Sequence, residues 1–580
     1  MLVTITRPGL VRLGLCKLPP FISRVSLTEA SNQKKKKKKM TVTNSGIQYA
    51  VQIITKHFGN LVAKVCETLL KSGPLNLGAL IRSTALTPQQ VKNSLLILVQ
   101  HNCVQPFTQE SKAGLKVQYM AVYDNILHRL RFAKFLAVVA QELDDDCKQL
   151  LAGLLEHGRL TQQQLMDRAN QKSKSNSSQV QNAAQDNFIR LVTARFVERC
   201  PAPEPLLEEA PEQEGPKKPR SKSAKMAQVS ETIEQRVLAA ARPMEAIRFL
   251  ITTNPETDDP SQKSENNSSS MSVGEKRKFD DLDIGEHGSN DKEVILWRAN
   301  FEQFIRCLRH KACVENVRAR HDDGAAVVLR AVLKATRMQE TKVKTDYSVP
   351  LKMGAIYNEV IDSAAGRNLT KVSVKASLHL LCGAPPVRGG YEGEGEDEDE
   401  DEDEDVPYSI DLKKIIELLQ NDEVESIVLK RYGQDACRIF RLLTSQSKPA
   451  GQFFETDKIS VDALVDKKET PKILYKLWKD DYVHMEKLSL TTAKQSQVMV
   501  WKVHKSIVWE HVLDEMYHAA YNLVKRYDHE REENKEVTNT PKEKRVGELE
   551  KKANRFLGVR KIMALSLVKL DDALMLFHDF

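Results

Sequence analysis

The sequence lacks the residue groupings on which most catalysis and metal binding depend. No GxxxxGK[ST] phosphate cradle, HExxH, GxSxG or Gly-rich dinucleotide pattern occurs in its 580 residues. Nine cysteines stand at positions 16, 66, 103, 147, 200, 307, 313, 382 and 437, and none forms a CxxC pair. Neither a zinc site nor a disulfide framework is expected, and a reducing compartment is the plain reading. No apolar run approaches the ~20 residues that a membrane helix needs, so no membrane partner is expected. His321-Asp322-Asp323 has the look of a metal-dependent phosphohydrolase dyad, but such a site needs further His and Asp ligands on neighbouring helices. Helix-terminal, solvated residues are the simpler reading. His511, Glu515 and His518 share a helical face, yet they sit among heptad seams and read as coiled-coil surface. Asp144, Asp145 and Asp146 read as a charge cluster at a helix start. An enzyme is therefore the class least expected, with no catalytic residue, metal or cofactor.

What remains is a soluble composition of 41% hydrophobic and 29% charged residues, with mean hydropathy −0.43, on a chain long enough for roughly three to five domains. Its net charge of +8 invites a nucleic-acid reading, which the location of that charge weakens. Residues 1–39 hold ten basic residues (Arg7, Arg12, Lys17, Arg24 and Lys34 to Lys39) against one acid, Glu29, so setting them aside takes +8 to −1. An acid-poor, Arg-bearing leader resembles a transit peptide. Six successive lysines directly before Met40 look more like untranslated leader read through, and Met40 is the expected start. The basic balance is then no argument for function.

From 47 to 70 apolar residues recur at helical spacing (Ile54, Phe58, Leu61, Val65, Leu69), and Lys71-Ser-Gly-Pro74 stops that helix. A short helix follows around Leu77 to Ile81. Thr87 then caps a third, with Pro88 at its first position and Val91, Leu95 and Leu98 on one face. Strand-like stretches, Val104 to Phe107 and Val117 to Val122, flank a polar tip. Three helices and a hairpin make the winged-helix order.

The join of third helix to strand, Leu98-Val-Gln-His-Asn-Cys-Val104, recurs. It reappears as Leu191-Val-Thr-Ala-Arg-Phe-Val197, Leu381-Cys-Gly-Ala-Pro-Pro-Val387 and Leu477-Trp-Lys-Asp-Asp-Tyr-Val483. Each ends an amphipathic helix expected to begin near Thr87, Asp186, Thr370 or Thr470. Short second helices precede two of them, at Leu160 to Leu165 and Ile459 to Leu464. Residues 201–290, opening on Pro201-Ala-Pro-Glu-Pro205, read as a mainly disordered linker with a transient helix within 227–251. Ten consecutive acids from Glu396 to Asp405 read as a solvated insertion in the third wing. At the C-terminus, Trp509, Leu513, Met516, Ala520, Leu523 and Tyr527 alternate steps of four and three. So do Val546, Leu549, Ala553, Phe556, Arg560, Met563, Leu567, Leu570, Leu574 and Phe577, with Thr538-Asn-Thr-Pro541 between the two arms. An antiparallel coiled-coil hairpin is expected, with a buried bundle helix as the alternative.

The expected fold is mainly α with small β-wings, as four tandem winged helices and a C-terminal coiled-coil hairpin. The boundaries are 1–39 leader, 46–123 first winged helix, 124–200 second, 201–290 linker, 291–420 third with acidic insertion 391–406, 421–504 fourth, and 505–580 hairpin.

Several stretches resemble one family. They are His57-Phe-Gly59, Leu98-Val-Gln-His-Asn102, Phe196-Val-Glu-Arg-Cys-Pro201, Tyr432-Gly-Gln-Asp-Ala-Cys-Arg-Ile-Phe-Arg441 and Lys569-Leu-Asp-Asp-Ala-Leu574. In this order they look like the third-largest, winged-helix subunit of RNA polymerase III, itself similar to the alpha subunit of transcription factor IIE. The resemblance covers nearly all of 46–200 and 291–580 and departs at residues 1–39, the linker and the length of the acidic insertion. It implies extended winged helices and a non-catalytic role with two smaller subunits in the initiation heterotrimer. The further partners it implies are the clamp of the largest subunit, transcription factor IIIB and upstream promoter DNA. The implied task is promoter recruitment and opening for tRNA, 5S rRNA and other small RNA genes.

A winged helix can lay its third helix in the major groove with its wing on phosphate. The candidate DNA contacts are Gln89, Gln90, Lys92 and Asn93 with wing residues Lys112 and Lys116; Arg190, Arg195 and Arg199; Lys371 and Lys375; and Lys472, Lys476 and Lys479. Two or three charges per helix is ordinary for a solvated face, so protein docking is the more economical use of these units. A free-standing DNA-binding regulator remains the alternative. A proteasome-lid type of scaffold carries a single terminal winged helix and fits four dispersed units poorly. Basic clusters at Lys217-Lys-Pro-Arg220 and Lys276-Arg-Lys278 suit nuclear import, so the nucleus is the expected location.

Overall fold

The computed structural model describes residues 42–111, 114–173, 178–207, 231–251, 294–382, 407–445, 453–489, 497–541 and 544–580. Residues 1–39, Lys112, both basic clusters of the expected linker and the acidic run lie outside them.

Helices α1 (Asn44–Phe58) and α2 (Asn60–Ser72) occupy the stretch expected as one helix. Gly59 divides them, at φ 86° and ψ 175°, a region essentially open to glycine alone. The break frees α1 to pack elsewhere while α2 packs on α3 (Leu77–Thr84) and α4 (Pro88–Gln100). Thr87 starts α4 as its sequence predicts, exchanging side-chain and backbone bonds with Gln90 in a capping box. Strands β1 (Val104–Ser111) and β2 (Gly114–Ala121) form the hairpin, with Val104 opposite Ala121.

Next come α5 (Tyr123–His128), a 3-10 turn over Arg129–Arg131, α6 (Phe132–Glu142), α7 (Asp145–His157), β3 (Leu160–Thr161), α8 (Gln162–Ser173) and α9 (Ser178–Thr193). Helix α9 begins eight residues before the expected Asp186. After β4 (Val197–Arg199), β5 (Leu206–Leu207), α10 (Ile233–Ala241) and α11 (Glu245–Arg248), β6 (Leu296–Ala299) runs between β3 and β4 in one sheet. The stretch expected as a linker thus forms an insertion between two strands of one sheet, β4 and β6. Two parts of the insertion are folded. β5 lies parallel to β1, and Val237 of α10 shares a small core with Phe107, Met120, Val122 and Leu207. Arg248 of α11 is buried 2.5 Å from buried Glu198 on β4. A polar average over ninety residues hides a short apolar cluster and a buried ion pair that anchor a strap.

The following elements are α12 (Phe301–Arg320), α13 (Asp323–Thr336), β7 (Leu351–Lys352), α14 (Met353–Asp362), α15 (Lys371–Cys382) and β8 (Pro407–Tyr408), which pairs with β7. Then come α16 (Leu412–Tyr432), α17 (Gln434–Ser445), β9 (Phe454–Glu455), α18 (Thr456–Asp462) and α19 (Thr470–Lys479). Strands β10 (His484–Ser489) and β11 (Gln497–Lys502) join β9 in the order β10-β11-β9. Gly433, at φ 92° and ψ −176°, repeats between α16 and α17 the break made by Gly59. Thr470 does not cap α19 as expected. It is the first helical residue and donates its hydroxyl back to the Asp466 carbonyl.

The repeated Leu-to-Val junction has one backbone solution in the three copies that are described. Asn102, Arg195 and Asp481 all take positive φ, at 59°, 60° and 60°. The next amide reaches five residues back in each case: Cys103 to Leu98, Phe196 to Leu191 and Tyr482 to Leu477, at 2.8, 2.9 and 2.9 Å. This is the Schellman helix end. It turns the chain so that the buried leucine and the buried strand valine, Val104, Val197 or Val483, enter the same core. The Leu381 copy runs into residues outside those described.

Helices α20 (Lys505–Glu533), α21 (Lys535–Asn539) and α22 (Glu548–His578) complete the chain. α20 and α22 pack antiparallel, with Trp509 meeting Phe577 at 6.3 Å near one end and Arg560 lying 6.0 Å from the Tyr527 ring near the other. The pair does not stand alone. α1 lies along α20, with Tyr49 and Tyr517 rings 6.2 Å apart and Lys56 3.0 Å from Asp528. Val546, expected on the heptad seam, precedes α22 and is 78% exposed.

Candidate nucleic-acid and docking interfaces

The candidate DNA contacts divide sharply once their neighbours are known. Gln90 is spent on the capping box, and Gln89 donates to Asn93 at 2.9 Å, while Lys92 and Lys116 are exposed. Arg190 on α9 pairs with Asp144, the N-cap of α7. Arg195 donates to the Met338 carbonyl at 3.0 Å, lies 3.5 Å from Glu245 and covers the Phe249 ring. Arg199 donates to the Leu250 carbonyl and covers Trp297. The arginines of the second unit thus hold the strap and the next helix, and do not form an outward basic patch. On α15, Lys371 is exposed and Lys375 half-buried. On α19, Lys472 pairs with Glu469 at 2.8 Å, and Lys476 and Lys479 are exposed.

The same third helices present apolar groups that a search for cations passes over. α4 exposes Leu96 and Ile97, α15 exposes Val372 and Leu380, and α19 exposes Tyr475 and Trp478, whose rings lie 5.7 Å apart. All fall off the core-facing period of their helices, and that mismatch was the signal available in the sequence. Exposed apolar groups on several helices favour protein contacts over phosphate.

The residues weighed as metal ligands have other roles. Asp322 accepts from the Ala325 amide at 2.6 Å as the N-cap of α13, and Asp323 binds Arg318. Glu515 accepts from both Arg431 guanidinium nitrogens, at 2.8 and 3.1 Å, and from the Tyr482 hydroxyl at 3.0 Å. That cluster fastens α16 and the strand-edge tyrosine to α20. Burial pushes the thiols of Cys103 and Cys307 up to about 11 and that of Cys313 up to about 12, so these remain unreactive.

One buried polar centre joins residues more than 400 positions apart. Arg131, 1% exposed, donates to Asp571 at 3.1 Å and Asp579 at 2.6 Å. Lys134 adds bonds to Asp571 at 2.5 Å and Asp572 at 2.8 Å. Burial works against the Arg131 charge, but the Asp579 and Asp571 carboxylates raise the Arg131 pKa above its ordinary value. Burial also works against the Asp579 charge, but Arg131, His128 and His578 together outweigh it and hold its pKa well below the carboxylate range. Tyr49, Tyr123, Tyr517 and His578 pack around this knot with tilted and edge-to-face rings. The end of α22 is therefore locked against α1, α5 and α6. A second junction fastens the first two units. Gln100 donates to the His157 and Arg159 carbonyls, Arg159 donates to Asn102, and a Cβ on Gly158 would meet the Gln100 carbonyl oxygen at 2.1 Å.

Three protein families match along this architecture. RNA polymerase III subunit RPC82 matches residues 186–380, its helix-turn-helix domain matches 48–109, and the POLR3C C-terminal winged-helix domain matches 424–502. The chain belongs to the RNA polymerase III subunit RPC82 family. Its relatives include DNA-directed RNA polymerase III subunit RPC3 of Bos taurus, 25% identical over 503 residues, and of Homo sapiens, 24% identical over 516. Each alignment covers 86% of this chain and 86% of the relative. The Dictyostelium discoideum protein of the same name is 20% identical over 572 residues, 76% of this chain and 84% of that one. In family terms, α2 to α4 and most of β1 lie within the helix-turn-helix match and α17 to β11 within the winged-helix match. The β4–β6 insertion falls within the RPC82 match.

Proposed function

We propose that this chain acts in transcription initiation as a docking subunit of RNA polymerase III, in a heterotrimer with two smaller subunits. Family membership makes it a non-catalytic subunit of that polymerase. The observation that carries the reading is the ordered match of three polymerase III families along one chain, with relatives aligned over most of their length. Its architecture we read as four extended winged helices, 46–123, 124–200 with the strap and β6, the unit after β6 with its acidic insertion at 391–406, and 421–504, followed by a coiled-coil hairpin at 505–580.

The third-helix faces meet the clamp of the largest subunit and the partner subunits through Leu96, Ile97, Val372, Leu380, Tyr475 and Trp478. Upstream promoter DNA is a secondary contact, held by Lys92, Lys116, Lys476 and Lys479, with transcription factor IIIB close by. The work is done in the nucleus at tRNA, 5S rRNA and other small RNA genes. The competing reading, a free-standing DNA-binding regulator, needs outward basic helices, and Arg190, Arg195 and Arg199 are turned to internal partners. Duplex binding by the purified chain distinguishes the two. A docking subunit gives weak binding whose salt slope corresponds to only a few phosphate contacts. Tight, sequence-selective binding with a steep slope contradicts the reading.

A further inference from the structure

Helix α22 is apolar on two sides. One side holds Ala553, Phe556, Met563, Leu567 and Leu574, at the spacing that faces α20. The other carries Leu557, Ile562, Leu565 and Val568, exposed by 41%, 54%, 63% and 50%. At 100° per residue these four fall within an arc of about 140°, and they span about 16 Å along the axis. Four apolar side chains in one stripe, each at least two-fifths exposed, are an unpartnered face rather than scattered surface residues.

Two further features specify what covers it. Lys561 and Lys569 stand among these apolar residues within the arc and Arg555 at its edge; all three are exposed and have no ion partner among the described residues. The carboxylates on this side lie at its ends: Glu550 near the start of the helix, and Asp572, which Lys134 already holds at 2.8 Å. Gly558 sits inside the stripe, and a Cβ there would meet nothing within 4 Å. A mid-helix glycine costs about 1 kcal/mol relative to alanine, and what it offers is bare backbone for close approach.

We infer that this face of α22 is the seat of an amphipathic helix of three to four turns from another chain, with an apolar stripe flanked by Asp and Glu. The partner helix completes a three-helix packing with α20 and α22 and supplies the missing counter-charges. Nucleic acid would neutralise the cations but leave four aliphatic side chains in water. A second copy of α22 would set like charges against each other. The inference rests on the polymerase reading above, since that assembly supplies the partner.

The test uses the full chain in natively purified polymerase. Lys561 and Lys569 are footprinted with an amine-acylating reagent in the free chain and in the assembly, and carboxyl-to-amine zero-length cross-links from both are mapped. The expected result is a labelling rate about tenfold lower in the assembly, with cross-links to acidic residues spaced three or four apart in one partner chain. The double variant K561E/K569E, at two exposed unpaired positions, keeps its thermal stability and loses that partner about tenfold. Unchanged labelling in an intact assembly overturns this surface alone. Cross-links to a second copy, or protection that nuclease treatment removes, overturn it as well. Recovery of no polymerase subunit overturns both this inference and the reading beneath it.

Discussion

Arg131 shows at the scale of one residue how this chain holds distant segments together. Its guanidinium is removed from water but satisfied by two carboxylates from the end of α22. Arg131→Ala leaves Asp571 and Asp579 buried without their main counter-charge and costs about 3–5 kcal/mol. Replacing all three by apolar residues of similar volume costs much less. Chemical denaturation of the three proteins checks this, and equal losses would contradict a charge-pairing role. Other groups contribute to the acid sensitivity. Burial, with Arg129 nearby, lowers the His101 pKa from 6.5 to about 4. The unfolded chain therefore binds the proton first, so the His101 contribution is complete above pH 6.5 and is lost as pH falls towards 4. Asp579 has a lowered pKa too, but as an acid its contribution is complete above the unfolded carboxylate value of ~3.9 and is lost below it. Stability should decline in two successive windows on acidification. Burial lowers His57 from 6.5 to about 4 as well, so the double replacement His57→Gln/His101→Gln should remove the upper window in denaturation midpoints measured from pH 7 to 4, and His101→Gln only part of it.

At the scale of elements, the helix-to-strand junction was legible because it is local. A leucine, a polar residue four places on and a valine six places on make a helix end with one left-handed residue. Asp481 tests this cleanly, since its side chain is exposed and only its φ of 60° matters. Asp481→Val should cost about 1–2 kcal/mol, while Asp481→Gly should be neutral or slightly stabilising. Equal effects on the thermal midpoint would show that the left-handed turn is not what constrains the position. Other elements were illegible for equally physical reasons. The continuous period from 47 to 70 conceals the break at Gly59, because one glycine scarcely disturbs a helical pattern yet can sit at φ 86°. The capping role of Thr470 failed because the helix begins one residue earlier, with Glu469 as its N-cap, although Pro471 favours a start at the first helical position.

At the scale of the whole molecule, the sequence conveyed modules but not how they are fastened. Nothing near Arg131 marks Asp571 as its partner, and nothing in residues 201–290 announces that β6 will close a sheet begun at Leu160. The same blindness affected the candidate site. Arg190, Arg195 and Arg199 look like a DNA-facing row until Asp144, Met338 and Leu250 are seen to occupy them. Beside a few exposed lysines, the outward groups include apolar or aromatic side chains on α4, α15, α19 and α22, which suit a molecule held by other proteins. Native purification of the tagged full-length chain tests that claim most directly. RNA polymerase III should come down with it in stoichiometric amounts and stay bound at salt concentrations that strip nucleic acid. Recovery of the chain alone, or with DNA but no polymerase subunit, would contradict the account.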